Sequence, residues 1–183
     1  MEQRPASSRH AGFTLIEFMI YISIVASVLL SATVFSRMLV ENQVKQEALS
    51  EVGYNGSFAI ERMMYVGQRA DALAAQSVYG AHPGVLIFNT PNGQTVIDTY
   101  QKNITHNGVA LTIRKLRLQE GGAAAVDLTS DAVDVSRFYL SNFSSGATFS
   151  VKISLIIQAV NPGGSKAYEA SQSWDTTVTV RKK

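Results

Sequence analysis

A long apolar run near the start of the chain constrains the fold more strongly than any other feature. Between Phe13 and Phe35 the sequence reads FTLIEFMIYISIVASVLLSATVF, which is 23 residues with Glu17 as the single charge. As an α-helix this run is about 35 Å long, enough to cross a hydrocarbon core of about 30 Å. Arg4 and Arg9 ahead of the run favour a cytoplasmic N-terminal tail, with the rest of the chain outside the cytoplasm.

Two ordinary interpretations of this run explain it incompletely. A cleaved secretory signal has an apolar core of about 7–15 residues followed by a small-residue cleavage site, whereas this run is longer and ends in the unsuitable sequence SATVFS. A plain signal anchor fits the length but leaves Glu17 unexplained. An ionisable group at membrane depth costs roughly 2.5–3.5 kcal/mol and usually marks a partnered position. Alternatively, Glu17 lies shallow and reaches the interface.

The residues at the start of the run suggest a third interpretation. Gly12-Phe13-Thr14-Leu15-Ile16-Glu17 resembles the class III leader junction of type IV prepilins and pseudopilins. The resemblance implies that a membrane-bound prepilin peptidase cuts after Gly12 and that Phe13 becomes the N-methylated first residue. It also implies that Glu17, at the family's fifth mature position, pairs with the N-terminal amine of a neighbouring subunit during assembly. One departure is Val34, where the family often has proline.

The apolar run also carries a stripe of small residues. Ser23, Ser27 and Ser31 recur every four residues and therefore lie on one face of a helix. Such stripes let helices approach closely in lipid, so these serines are candidates for helix packing. The alternative is that each hydroxyl bonds the carbonyl of residue i−4 in its own helix and has no outside partner.

Composition argues against the common enzyme and metalloprotein classes. The chain has no cysteine, and its three histidines lie far apart without ligand spacing. No pair of carboxylates or Ser/His/Asp order suggests hydrolysis, and no Gly-rich phosphate loop is present. We therefore expect a protein that is not an enzyme, with no catalytic residues, no metal and no cofactor.

Charged clusters in the second half of the chain are expected to be solvated surface. The net charge is only +2, so no nucleic-acid partner is expected, and the clusters Arg114-Lys115-Arg117 and Arg181-Lys182-Lys183 suggest protected sheet edges. Asp127, Asp131 and Asp134 form the acidic cluster of this half, and their spacing lacks an EF-hand pattern. A calcium site there is the less favoured alternative.

The fold class predicted is α+β, a long N-terminal α-helix packed on a mainly antiparallel β-sheet head. The helix is expected from about Thr14 to about Ala75, bent or loosened near residues 53–56, with Met63 and Met64 facing the core. The predicted organisation is a leader (1–12), a transmembrane helix (13–35), an amphipathic continuation (36–79) and a β-rich head (80–183). Turn signals, Asn107-Gly108 among them, separate predicted strands over 85–89, 95–100, 109–118, 132–140, 148–160 and 167–180.

The sequence therefore resembles a minor pilin or pseudopilin precursor of a type IV pilus-like or type II secretion-like filament. A wholly cysteine-free head favours a minor subunit, since many major subunits of the family carry a C-terminal disulfide loop. The implied partners are prepilin peptidase, other pilin-like subunits, and an inner-membrane assembly platform with its ATPase. The protein would be a single-pass inner-membrane protein before it enters a filament. The alternative is a membrane-anchored extracytoplasmic binding module that is not processed.

Overall fold

The computed structural model describes residues 14–106, 108–145, 148–164 and 168–181. The chain divides into two compact units, residues 1–42 and residues 43–183. Within the described residues the fold is α+β, with one long N-terminal helix followed by antiparallel strands, as predicted. The elements in chain order are α1 Leu15–Arg69, β1 Ala72–Leu73, β2 Leu86–Thr90, β3 Gly93–His106, β4 Val109–Glu120, β5 Val126–Asp127, β6 Val133–Asn142, β7 Thr148–Ala159 and β8 Ser171–Arg181.

Helix α1 differs from the predicted helix in two places. Residues 53–56 are helical throughout, so the predicted loosening there is wrong. The helix ends at Arg69, which corrects the predicted end near Ala75 and the predicted continuation to residue 79. The reason for the early end is strand pairing, because the amide of Asp71 donates to the carbonyl of Asn89 and residues 72–73 pair with β2 as β1. Tertiary pairing thus overrides the helix propensity of an alanine-rich segment.

The head contains two antiparallel sheets where one was expected. The first has the order β1-β2-β3-β4-β5 and the second the order β6-β7-β8. Five of the six longer strands lie within a few residues of the predicted ones, whereas β3 continues six residues beyond its predicted end at residue 100, because it pairs with β4 as far as His106. Side chains join the two sheets along β4, because the Arg114 amide donates to Asp134 on β6 at 2.7 Å. A bulge between Val135 and Arg137 interrupts the register of β6 with β7.

The core of the head lies between the second part of α1 and the inner faces of both sheets. Val52, Ala59 and Met63 are fully buried on the helix, while Met64 is exposed. The core prediction is therefore confirmed for the first methionine of the pair and wrong for the second. Two helix glycines allow β8 to approach closely. A Cβ at Gly56 would lie 2.1 Å from the Trp174 ring, and a Cβ at Gly67 would lie 2.1 Å from Val178.

Candidate assembly helix and the charged cluster of the head

The first turn of α1 is fixed by a side-chain cap at its N-terminus. The amide of Glu17 lies 3.4 Å from Thr14 Oγ1, which places Thr14 at the cap and Glu17 in the third helical position. Thr-Leu-Ile-Glu is the S/T-x-x-E signature of a capping box, a signal that the sequence carries. The carboxylate of Glu17 has no partner among the described residues. Gly12 and Phe13, the predicted cleavage and methylation positions, lie outside the described residues.

The apolar part of α1 exposes its hydrophobic surface along its whole length. Its most apolar 18-residue window has a mean hydropathy of 2.2 and no buried residue, and this is the single helix in the described part of the chain that is long and apolar enough to cross a membrane. Large side chains such as Leu30 and Phe35 remain more than half exposed. Since apolar surface of this extent is unfavourable in water, the helix requires lipid or other helices around it.

The serine stripe has its hydroxyl groups satisfied within the helix. Ser23, Ser27 and Ser31 each donate to the carbonyl of residue i−4 at 2.8–2.9 Å. Thr33 does the same toward Leu29 at 2.8 Å. The serine hydroxyls therefore have no hydrogen left to donate to another helix. The stripe favours close packing only because its side chains are small.

In the head, the acidic and basic clusters of the sequence come together as an ion-pair network. Lys115 on β4 is buried, and its Nζ lies 2.6 Å from Asp127 and 2.7 Å from Asp131. Asp131 also binds Lys102, and Asp127 accepts a hydrogen bond from Tyr100. The expectation of solvated surface is therefore wrong for Lys115, whereas Asp127 and Asp131 are exposed as expected.

Electrostatic shifts follow from this geometry. Burial lowers the pKa of Lys115, but its hydrogen bonds to Asp127 and Asp131 outweigh burial, and the net effect raises the pKa. The pKa of Asp131 is lowered, chiefly by hydrogen bonds from Lys102 and Lys115. Both shifts favour the charged forms. The hydrogen bonds between these groups therefore hold Lys115 and Asp131 together as an ion pair.

The remaining charged residues of the two clusters also have structural partners. Arg117 makes two hydrogen bonds to Asp98, at 2.7 and 2.8 Å. Arg114 contacts the His82 ring at 2.6 Å, and Asp134 accepts from the β4 backbone. Among the residues that the structure describes, no group of three or more His, Asp or Glu side chains could hold a metal ion. Lys182 and Lys183 of the C-terminal basic cluster lie outside the described residues.

A polar contact that sequence reasoning missed ties α1 to the loop that carries Asp131. Asn55 is buried, donates to Glu51, and accepts from the Ser130 amide at 2.7 Å. The Ser130 hydroxyl donates to Glu51 at 2.7 Å. The sequence gives only a faint signal for this site, namely a polar Asn at a position that belongs to the buried face of the helix.

One family comparison matches the chain, and it falls on the N-terminal segment. The prokaryotic N-terminal methylation motif matches residues 7–33, which include the leader junction, Thr14 and Glu17. No curated protein and no solved structure matches the chain. Proteins with this motif are structural, and the motif marks a pilin-type precursor that has prepilin peptidase and other pilin subunits as partners. With this class III prepilin leader and its long apolar helix, the chain fits the type IV pilin-like proteins.

Proposed function

We propose that the protein is a minor pilin or pseudopilin that is cut after Gly12, methylated on Phe13 and assembled into a filament. The observation that carries the proposal is the methylation motif over residues 7–33, which includes the first part of an uninterrupted helix whose apolar residues are exposed there. A protein that works by assembly needs such a surface, whereas a self-contained anchor does not need the motif.

Glu17 is the residue that we propose guides assembly. Its carboxylate has no partner in the described part of the chain, and an unpaired charge in lipid is costly. Cleavage after Gly12 would create an α-amino group four residues before Glu17, and methylation of such an amine keeps its positive charge. A neighbouring subunit that supplies this amine would offset the cost, because a charge in lipid is less unfavourable when a counter-ion lies beside it.

The serine stripe is the proposed site of close helix packing. Ser23, Ser27 and Ser31 have self-satisfied hydroxyls, so another helix can approach them without leaving a buried donor unpaired. The proposed topology places the leader in the cytoplasm and the β-rich head outside. The assembly platform and its ATPase would then extract the subunit from the inner membrane into a periplasmic or surface filament.

The proposal is tested by expressing the full chain with and without an active prepilin peptidase. Intact-mass and N-terminal peptide analysis should show loss of residues 1–12 and one added methyl group on Phe13 only when the peptidase is present. Replacement of Gly12 by a bulky residue should abolish cleavage, while Glu41→Gln serves as a control that leaves it unchanged. An uncut chain beside a control substrate that is cut would instead favour the unprocessed membrane-anchored binding module.

A further inference from the structure

The outer half of the β3–β4 hairpin extends beyond the rest of its sheet. β2 pairs with β3 only as far as Ile97, and β5 pairs with β4 only at Arg117 and Leu118. Beyond those positions, residues 99–106 of β3 pair with residues 109–116 of β4, and neither stretch pairs with another strand within the described part of the chain. This hairpin end, hereafter the ribbon, therefore has two strand edges without a neighbouring strand.

The hydrogen bonds of β4 show which of its backbone amides point toward β3 and which point away from it, outward from the ribbon. The amides of Arg114 and Leu116 point away from β3, because they donate to Asp134 and Thr129. In an antiparallel ladder the outward positions alternate, and residues directly opposite share the same phase. The residues of β3 that face outward are therefore the partners of Leu116, Arg114, Thr112 and Ala110, namely Thr99, Gln101, Asn103 and Thr105.

The two edges of the ribbon differ in how much of them is available. On β4, the side chains of Thr129 and Asp134 already satisfy the outward amides of Leu116 and Arg114, and the outward positions that remain are Ala110 and Thr112. On β3, no hydrogen bond of the outward backbone groups is found within the described residues from position 99 to position 105. Seven residues of unpaired strand are enough to receive a strand of ordinary length.

The β3 edge also lacks the usual protection against strand addition. Exposed edges are commonly blunted by lysine, proline or a bulge. The one lysine of this stretch, Lys102, is turned back onto Asp131 by hydrogen bonds at 2.8 and 2.9 Å. Residues 99–105 contain no proline, and the pairing of β3 with β4 runs without a register shift from residue 95 to residue 106. The edge is therefore regular and open, with Lys102 as its single charged residue.

We propose that residues 99–105 of β3 receive an extended strand of a different pilin-type subunit, an inference that rests on the proposed function. Unpaired amides and carbonyls along a strand are satisfied by another extended backbone. A second copy of this chain fits less well. The symmetric antiparallel register that uses all four outward positions pairs Thr99 with Thr105 and places Lys102 opposite Lys102, and like charges directly opposite destabilise a strand pair.

The test places a photo-reactive benzophenone amino acid at position 101 or 105 of the full chain, in cells that assemble the filament. Position 110, on the opposite edge of the same ribbon, is the matched control. The expected result is an adduct from positions 101 and 105 but not from 110, with a protein that itself carries the N-terminal methylation motif. The two attachment points should lie about four residues apart on one strand of that protein.

Proline variants test the backbone contacts directly. Gln101→Pro removes an outward amide of β3, and Ala110→Pro removes an outward amide of β4, so neither breaks a β3–β4 ladder bond. With the cross-linker at position 105, the adduct should disappear in Gln101→Pro and persist in Ala110→Pro. Urea unfolding followed by fluorescence of Trp174, the only tryptophan of the chain, verifies that both variants fold.

The contrary outcomes separate this inference from the proposed function. Loss of cleavage after Gly12 in the wild-type chain would overturn the proposed function and this inference together. Normal cleavage and methylation without an adduct at positions 101 and 105 would overturn the strand-docking inference alone. An adduct with a second copy of the chain, or equal adducts from position 110, would overturn the assignment of the β3 edge to a different subunit.

Discussion

The two units of the chain satisfy their charged and apolar groups in opposite ways. In the head, the buried ammonium of Lys115 has two carboxylate partners from the same chain, and the apolar side chains of both sheets close on α1. In residues 14–42, the apolar side chains are exposed and Glu17 has no partner among the described residues. The difference indicates that the head is stable through contacts within one subunit, whereas the N-terminal helix requires contacts with a membrane or with other subunits.

Removal of the counter-ions of the buried Lys115 should destabilise the head more than any other change proposed here. The double change Asp127→Asn and Asp131→Asn leaves Lys115 buried without a counter-ion, which should cost about 3–5 kcal/mol of unfolding free energy. Urea unfolding of the full chain in detergent, followed by Trp174 fluorescence, measures it. The control is Asp175→Asn, whose exposed partner Lys152 lies 3.7 Å away, and which should cost well under about 1 kcal/mol. Equal losses in the two variants would contradict a head that depends on its internal ion pairs.

Removing a carboxylate from the N-terminal helix should strengthen membrane anchoring, whereas removing carboxylates from the head should weaken folding. Glu17→Leu removes the charge from the apolar run and should favour membrane insertion by roughly 2.5–3.5 kcal/mol. Head stability should stay unchanged, while incorporation into filaments should be lost because the amine of the neighbouring subunit has no partner. Carbonate extraction and the amount of protein in sheared filaments measure the two effects. Normal filament incorporation of Glu17→Leu would rule out the proposed role of this carboxylate.

The same contrast explains how much of the molecule the sequence predicts. The apolar run, the fold class and the hairpin after His106 follow from local patterns, and Gly108 indeed adopts a φ of 79° in that turn. The T-x-x-E cap formed by Thr14 and Glu17 is a local signal of the same kind. These features depend on residues that are close together in the chain.

The features that prediction missed depend on distant residues. The early end of α1 is set by pairing with β2, and the burial of Lys115 is set by carboxylates that the chain brings back along β4. The sequence predicts a loosened helix at Gly56, whereas this residue is helical and makes room for Trp174. A local pattern cannot distinguish a charge that is exposed from one whose partner arrives later in the sequence.

The close packing of β8 on α1 can be tested at two helix glycines. Gly67→Ala should destabilise the head by about 1–3 kcal/mol through overpacking against Val178, in spite of the roughly 1 kcal/mol that alanine contributes to helix propensity. Gly53→Ala is the matched control, because its Cβ would meet only Gln172 at 3.6 Å. That variant should be neutral or slightly more stable in the same urea experiment. A stabilised Gly67→Ala would mean that β8 does not pack closely on α1.

A fourth prediction concerns the start of the N-terminal helix. Thr14→Ala removes the cap of Glu17 and should weaken the first turn by about 1 kcal/mol. Amide hydrogen exchange in detergent should then be about fivefold faster at Glu17 and unchanged in the head. Thr33→Ala is the control, since Thr33 bonds a mid-helix carbonyl and caps nothing. If exchange at Glu17 stays the same in Thr14→Ala, Thr14 does not cap the helix.

The smallest effect is the pH dependence of the head. The pKa of Asp131 is lowered in the folded chain by hydrogen bonds from Lys102 and Lys115. A carboxyl of this kind contributes stability above its unfolded pKa of about 3.9, and the contribution is lost as the pH falls through the lower folded pKa. Since the Asp131 side chain is 49% exposed, solvent screening keeps the contribution small. The free energy of unfolding should therefore decline more steeply below about pH 4 in wild type than in Asp131→Asn. Membrane association of the N-terminal helix should not decline together with the stability of the head below about pH 4, because Asp131 belongs to the unit whose charges are paired within the same chain. If the free energy of unfolding declines equally below about pH 4 in the wild type and in Asp131→Asn, the acid sensitivity of the head arises outside this ion-pair network.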